Sequence, residues 1–182
     1  MIAALFVMIS AQFASAQMAG KTTALKTFTL SDGRFSIDLP GEPTHETETK
    51  DGVTTNTYTF EDEDNIFSVV EMTAPGIEKL LAESPTMLQA LSNSFFTGII
   101  EESNKTSEVE GSLEEVRSIT HKGMDGKELN VTISGFPVKA RVLAAKNAVY
   151  MFTFFEGEVV EADLIDKILG SFKVNEPKIT AK

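Results

Sequence analysis

Apolar residues along the chain recur with two periods, and segments of the two kinds alternate. Phe28-Thr29-Leu30 and Phe35-Ser36-Ile37-Asp38-Leu39 flank Ser31-Asp32-Gly33-Arg34. Asp-Gly tolerates the positive φ of a tight hairpin, so the two segments are predicted to pair. Pro40-Gly41-Glu42-Pro43 stops the second one, because proline has no N–H to give to a ladder. Residues 53–60 alternate, with Val53, Tyr58 and Phe60 among Thr and Asn, and residues 66–72 are the expected partner across the acidic loop 61–65. Four strands are predicted to this point, and the stretch between Pro43 and Asp51 reads as polar.

The period then changes. Ser84 is placed to cap a helix, with Pro85 at the first helical position, where no N–H is needed. Met87, Leu88, Leu91, Phe95 and Ile99 fall within about 120° of one another on a helical wheel, with Phe96 and Ile100 at the margin. The helix is predicted over residues 85–101, preceded by a short helical turn at 77–81. Its stripe must bury against another element, and a sheet face is the natural one.

Strands return at 115–121 and 129–133, joined through Gly123-Met124-Asp125-Gly126. Gly135-Phe136-Pro137 interrupts the chain, and residues 138–145 and 148–155 are then expected to pair across Lys146-Asn147. The segment Ala148-Val149-Tyr150-Met151-Phe152-Thr153-Phe154-Phe155 does not alternate. It is apolar on both faces, the mark of a strand covered on both sides. A last helix is predicted over residues 159–169, burying Leu164, Ile165, Ile168 and Leu169, closed by a left-handed Gly170, with Phe172 folding back onto the core. Hairpin connections make the sheet mostly antiparallel. The expected class is α+β: a three-layer α/β/α sandwich with two main helices.

The N-terminal pattern is of another kind. Residues 1–16 carry no charged side chain, and the apolar run 2–9 is too short to cross a bilayer. Ala14-Ser15-Ala16 supplies a small-x-small site, so residues 1–16 are expected to be a signal peptide cut before Gln17. A polar leader at 17–27, one domain at 28–174 and a tail at 175–182 would follow. At that length a domain buries roughly 70% of its unfolded surface and needs no disulfide.

Composition narrows the chemistry. The chain has 182 residues, a formal charge of −11, two His and no Cys or Trp. Without Cys there is no disulfide, zinc-thiolate site, iron–sulfur cluster or thiol nucleophile, and no lipid attachment point after the cleavage site. The negative charge repels phosphate, which argues against a nucleic-acid partner. An apolar fraction of 42% is too high for a disordered chain and too dispersed for a multi-span membrane protein.

Three pieces of the sequence resemble one family. Ser31-Asp32-Gly33-Arg34-Phe35-Ser36-Ile37-Asp38-Leu39-Pro40-Gly41-Glu42-Pro43 resembles the opening hairpin of exported bacterial domains of the PsbP-like superfamily. Ala140-Arg141-Val142-Leu143 with Val149-Tyr150-Met151-Phe152 is similar to the paired late strands there, and Ile168-Leu169-Gly170-Ser171-Phe172 resembles the end of the last helix. The resemblance covers residues 28–174 and rests on turns and core positions. It implies an α/β/α sandwich with no enzymatic activity. The family's members include an extrinsic subunit of photosystem II, a release factor for the Ran GTPase, periplasmic lipoproteins and chaperones for secreted effectors, which share only binding to another macromolecule. No functional residue carries over, because none of those partner surfaces is matched here.

The search for chemistry singles out few residues. His45 and His121 are far apart in sequence and are expected to be exposed and non-ligating. In the run Glu61-Asp62-Glu63-Asp64-Asn65, Asp62 and Asp64 are candidate carboxylates for weak divalent binding. No Gly turns that loop, however, and Ile66 follows where an EF-hand would continue with ligands, so a solvated hairpin tip is the plainer reading. Gly20-Lys21-Thr22 mimics the end of a phosphate loop, but Ser15 stands where the first Gly belongs. Arg141 lies among Val138, Ala140, Val142, Leu143 and Ala144, and is one of three arginines. It either anchors a partner's carboxylate or pairs with an acid at the sheet margin. Asn104-Lys105-Thr106 and Asn130-Val131-Thr132 fit the glycosylation sequon, which matters only on a eukaryotic secretory route.

No catalytic, cofactor or metal residue is assigned. The leading expectation is an exported, monomeric, non-catalytic binding module that recognises a macromolecular partner by a sheet edge, groove or acidic face. The alternatives are a periplasmic carrier or chaperone for an apolar ligand or segment, using Met and Phe in an adaptable groove, and a carboxylate-dependent hydrolase.

Overall fold

Pairs of left-handed residues set the registers of this fold, and one such pair builds a strand that the hydrophobic pattern does not show. Asp51 and Gly52 have φ of 51° and 79°, the geometry of a two-residue hairpin turn. They join Val53–Glu61 to a preceding strand, Thr44–Lys50. That preceding strand, THETETK, is exposed at every position. It has no apolar residue, so period-two hydrophobicity is absent; the signal lies in its alternating β-branched Thr residues and the Asp-Gly that follows. The polar stretch at 43–51 is therefore a strand, and five strands precede the first helix.

The computed structural model describes residues 24–62, 65–104, 109–110, 115–133, 135–156 and 163–175. In chain order the elements are β1 (Lys26–Leu30), β2 (Phe35–Leu39), β3 (Thr44–Lys50), β4 (Val53–Glu61), β5 (Asn65–Thr73), α1 (Ile77–Glu83) and α2 (Pro85–Asn104). They continue with β6 (Val109–Glu110), β7 (Arg117–His121), β8 (Met124–Ile133), β9 (Phe136–Ala144), β10 (Val149–Glu156), α3 (Leu164–Ser171) and β11 (Lys173–Val174). The large sheet runs β3-β4-β5-β10-β9-β8-β6, with β7 also on β8, and a small sheet runs β1-β2-β11. Every strand pair is antiparallel. The class is mixed α/β, with antiparallel sheets and three helices among the described residues. Residues 1–16, expected to be a signal peptide, and the expected cut before Gln17 lie outside the described residues.

β10 sits between β5 and β9 and alternates between two cores. Tyr150, Phe152 and Phe154 enter one, with Phe35, Ile37 and α3. Val149, Met151 and Phe155 face the other, with Leu129, Val142 and Phe96 of α2. Val149, Tyr150, Phe152 and Phe154 are each at most 1% exposed, so the strand is covered above and below, as its unbroken apolar run requires. α2 lies against β8 and β9. The opposite face is covered by β1, β2 and β11 together with α3, so a small sheet shares with a helix the place that a helix alone was expected to fill.

Several boundaries move for identifiable reasons. The deepest positions of α2 are Ser92, Phe96 and Ile99, while Leu88, Leu91 and Phe95 are half-buried. The apolar stripe defines an arc, but the line of deepest contact runs along its margin, where the helix meets β8 and β9. Ser92 tolerates burial because its hydroxyl donates to the Leu88 carbonyl at 2.7 Å. The β7–β8 turn is Lys122-Gly123, and Gly126 lies inside β8. A Cβ at Gly126 would meet the Val142 carbonyl oxygen at 2.5 Å, so this glycine serves close strand packing rather than the turn. Phe136 and Pro137 belong to β9 instead of breaking the chain before it. Gly170 remains helical: α3 ends at Ser171, and Phe172 turns directly into the extended path that places β11 on β2. A left-handed cap would send the chain elsewhere.

Candidate functional site

Glu71 is the one acid in the Val69-Val70-Glu71-Met72 run of β5, and it is 0% exposed. Its carboxylate is satisfied by four side chains, two from the β1–β2 turn and one each from β4 and β10. Oε2 accepts from the Ser31 hydroxyl, from Asn56 Nδ2 at 3.1 Å and from Arg34 Nη2 at 2.9 Å. Oε1 faces the Tyr150 hydroxyl at 3.3 Å. Burial and the neighbouring carboxylate push the Tyr150 phenol above its usual range. Held by four side chains at once, Glu71 serves as a clamp.

The clamp holds a strained turn. Ser31 and Asp32 both have φ of 54°, the left-handed region, followed by Gly33 at 89°. Arg34 Nη2 donates to the Ser31 hydroxyl at 2.6 Å, and Asn175 straps the turn by donating to Arg34 and Gly33 carbonyls, both at 2.8 Å. Two non-glycine residues in this region cost on the order of 1–3 kcal/mol each and persist only where the surroundings over-determine them. The β1–β2 turn is thereby riveted to the large sheet.

From Glu71 the network runs outward to β3. Thr47 Oγ1 donates to Asn56 Oδ1 at 2.8 Å, and His45 Nε2 lies 3.3 Å from the same oxygen. The His45 ring stacks on Tyr58 at 4.3 Å, nearly parallel. His45, Thr47 and Thr49 therefore face the core side of the sheet. Glu46 and Glu48 face the other side, opposite Thr57 and Thr55, and form no ion pair among the described residues. Among the described residues no further strand pairs beyond β3, so its outer N–H and C=O groups meet no described strand. At the other end of the sheet, β8 carries β7 along 124–128 and β6 along 132–133.

A second buried acid organises that other end. Glu128 is 3% exposed and lies in register with Arg117 of β7 and Arg141 of β9. Arg141 Nε donates to Oε2 at 2.9 Å and its Nη2 to the same oxygen; Arg117 donates to Oε1 at 3.1 and 2.5 Å. Burial pushes the Glu128 carboxyl up, but the hydrogen bonds and charges of Arg141 and Arg117 outweigh it and hold the carboxyl below its usual range. Next to this triad Lys139 Nζ donates to Asp166 of α3 at 2.8 Å. That bond holds the Asp166 carboxyl below its usual range against partial desolvation.

Arg141, one of the sequence candidates, is committed to Glu128 of the neighbouring strand β8, with its side chain 14% exposed; the pair lies inside the sheet and not at its margin. Asp62 closes the tip of the β4–β5 hairpin: its Oδ1 accepts from Asn65 N at 2.7 Å and Nδ2 at 3.1 Å. Asp64 lies outside the described residues, and the structure does not bring Arg141 and Asp62 together. His121 Nε2 lies 3.0 Å from the Phe172 carbonyl. Among the described residues no three His, Asp or Glu side chains gather as a metal site, and no helix is long and apolar enough to cross a membrane. Glu71, Glu128 and Arg34 escaped sequence reading. The available signal was an acid within an apolar strand, as in Val69-Val70-Glu71-Met72.

No family model matches the chain, and no curated protein matches it in sequence. Among solved structures it is similar to PsbP of the cyanobacterium Synechocystis sp. PCC 6803, with a TM-score of 0.56 and 15% identity, over 89% of this chain and 98% of that one. A Bacteroides thetaiotaomicron protein aligns at TM-score 0.42 and 10% identity, over 84% of this chain and 49% of that one. A Pseudomonas aeruginosa protein of unknown function, PA94, aligns at 0.30 and 13%, over 78% and 87%. The fold is PsbP-like.

Proposed function

We propose that this protein is an exported, non-catalytic accessory module that recognises a macromolecular partner through the open β3 edge of its large sheet. The observation that carries the reading is β3 itself: seven exposed residues, paired on one side only among the described residues and held in register by β4 and the Asn56–Glu71 network. A preorganised edge offers main-chain hydrogen bonds to an incoming strand at low ordering cost. In this reading the molecule is three-layered, with α1 and α2, the large sheet, and α3 with the small sheet as successive layers. Export is supported by the uncharged apolar run 2–9 and Ala14-Ser15-Ala16.

The two alternatives find less support. Leu80 is the one exposed large hydrophobic among the described residues, which leaves an apolar carrier little surface to use. Both buried glutamates have their oxygens occupied, which leaves a carboxylate-dependent hydrolase without a base there.

The test is a photocrosslinking amino acid placed at Glu48 on β3 and, as control, at the exposed Lys79 of α1, each in the exported full-length chain. A discrete partner adduct at position 48 and none at 79 is expected. Equal labelling at the two positions overturns the reading.

A further inference from the structure

We infer that β3 takes as an added strand an extended, positively charged segment of another protein, with Lys or Arg at alternate positions set against Glu46 and Glu48. The inference rests on β3 being the partner edge and names the chemistry of its partner.

The two faces of β3 are unequal. His45 and Thr47 are bound to Asn56, and Thr49 Oγ1 meets Thr54 Oγ1 at 3.1 Å, so the core-side face is already engaged. Glu46 and Glu48 stand two residues apart on the opposite face, about 7 Å from each other. Their cross-strand neighbours Thr57 and Thr55 carry no charge. A strand added alongside β3 places its own alternate side chains beside Glu46 and Glu48 at the spacing between neighbouring strands. Two cations at positions i and i+2 complement them; two acids or two apolar residues do not.

The same charges disfavour the commonest wrong occupant. Lys50 shares the face of Glu46 and Glu48. A second copy paired antiparallel about Thr47 sets Glu46 against Glu48, and one paired about Glu48 sets Glu46 against Lys50 but Glu48 against itself. Like charges directly opposite destabilise strand pairing, here in a molecule of net charge −11. Charge on an edge strand ordinarily serves to prevent self-association. Here it also leaves one class of partner favoured, since repelling one strand type selects another.

The probe is a peptide alternating Lys and Thr over the seven-residue length of β3, added to the isotope-labelled mature protein. Backbone amide shifts and fluorescence anisotropy are recorded at low and high ionic strength. Binding at low salt with shifts concentrated in β3 and β4 is expected. Methylating alternate backbone nitrogens of the peptide is expected to abolish it, and a Glu-Thr peptide is expected not to bind. The E46K/E48K protein, altered only at exposed side chains, is expected to bind roughly tenfold more weakly, because two attractions become two repulsions. Binding that survives backbone methylation, or is unchanged by E46K/E48K, overturns the inference. Dimerisation of the wild-type chain through β3 also overturns it. A partner crosslinked at position 48 together with no response to the Lys-Thr peptide overturns the charge preference while leaving the edge reading in place.

Discussion

Glu71 and Glu128 are buried glutamates on the same face of the same sheet, and they are neutralised in opposite ways. Glu71 has one cation, Arg34, whose side chain is 42% exposed, and otherwise takes neutral donors from Ser31, Asn56 and Tyr150. Glu128 has two cations and no neutral donor among the described residues, and the more buried of the two, Arg141, has nowhere else to go. The first is a hydrogen-bond hub that ties a turn and two strands to one carboxylate. The second is a charge triad within three neighbouring strands. Loss of a hub orphans many groups, whereas loss of a triad orphans charge. The two therefore differ less in how much they stabilise than in what repairs their removal.

The largest effect is expected at the hub. Glu71→Leu should destabilise by about 4 kcal/mol in chemical denaturation, since buried donors left unmade cost about 1–3 kcal/mol each and do not add fully. Adding Arg34→Leu should recover little, because Ser31, Asn56 and Tyr150 remain unpaired. Full recovery by the double variant would show that Glu71 is only half of an ion pair. Glu128→Leu should cost about 3 kcal/mol, the penalty of an uncompensated buried cation. Here Arg141→Leu in the same chain should restore most of it, because Arg117, 60% exposed, can return to water. If the repair fails, the triad holds more than charge.

Acidity separates the two further. The folded-state pKa of Glu128 lies below its ordinary value of 4.5. Its contribution is thus present above that pH and is lost as pH falls through the lowered value. The Glu128→Leu/Arg141→Leu protein should show a flatter stability profile below pH 4.5 than the wild type, measured by denaturation at a series of pH values. The smallest expected effect is Tyr150→Phe, about 1.5 kcal/mol for one long hydrogen bond to a carboxylate. Because the Tyr150 phenol is raised above its ordinary value of 10.0, its contribution is present below that pH and fades as pH rises beyond it. The Phe variant should lose that alkaline slope, and an unchanged slope would place the titration elsewhere.

Elements whose two faces differ in polarity were legible before any coordinates. β2, β4, β5, the start of α2 and the doubly apolar β10 were predicted from period and turn chemistry, because burial of one or both faces writes itself into residue order. β3 was not, since an edge strand with both side-chain faces polar buries nothing. The candidate site was less legible still. Arg141 stood out as a cation in an apolar strand, but its partner Glu128 is thirteen residues away, and Ser31 and Tyr150 reach Glu71 across 40 and 79 residues.

Local order thus sufficed for where the chain turns, which segments extend or coil, and which strand is enclosed, because these follow from neighbours one to four positions apart. Which acids are buried and what neutralises them depended on the register of β5, β10, β9 and β8, a long-range choice made by the packing of Phe35, Phe152 and Phe172 against one another. The exposed edge depended on sheet order as well: nothing in THETETK states that no described strand lies beyond it. Such facts arise from the collective burial of two cores, and no short window of residues carries them.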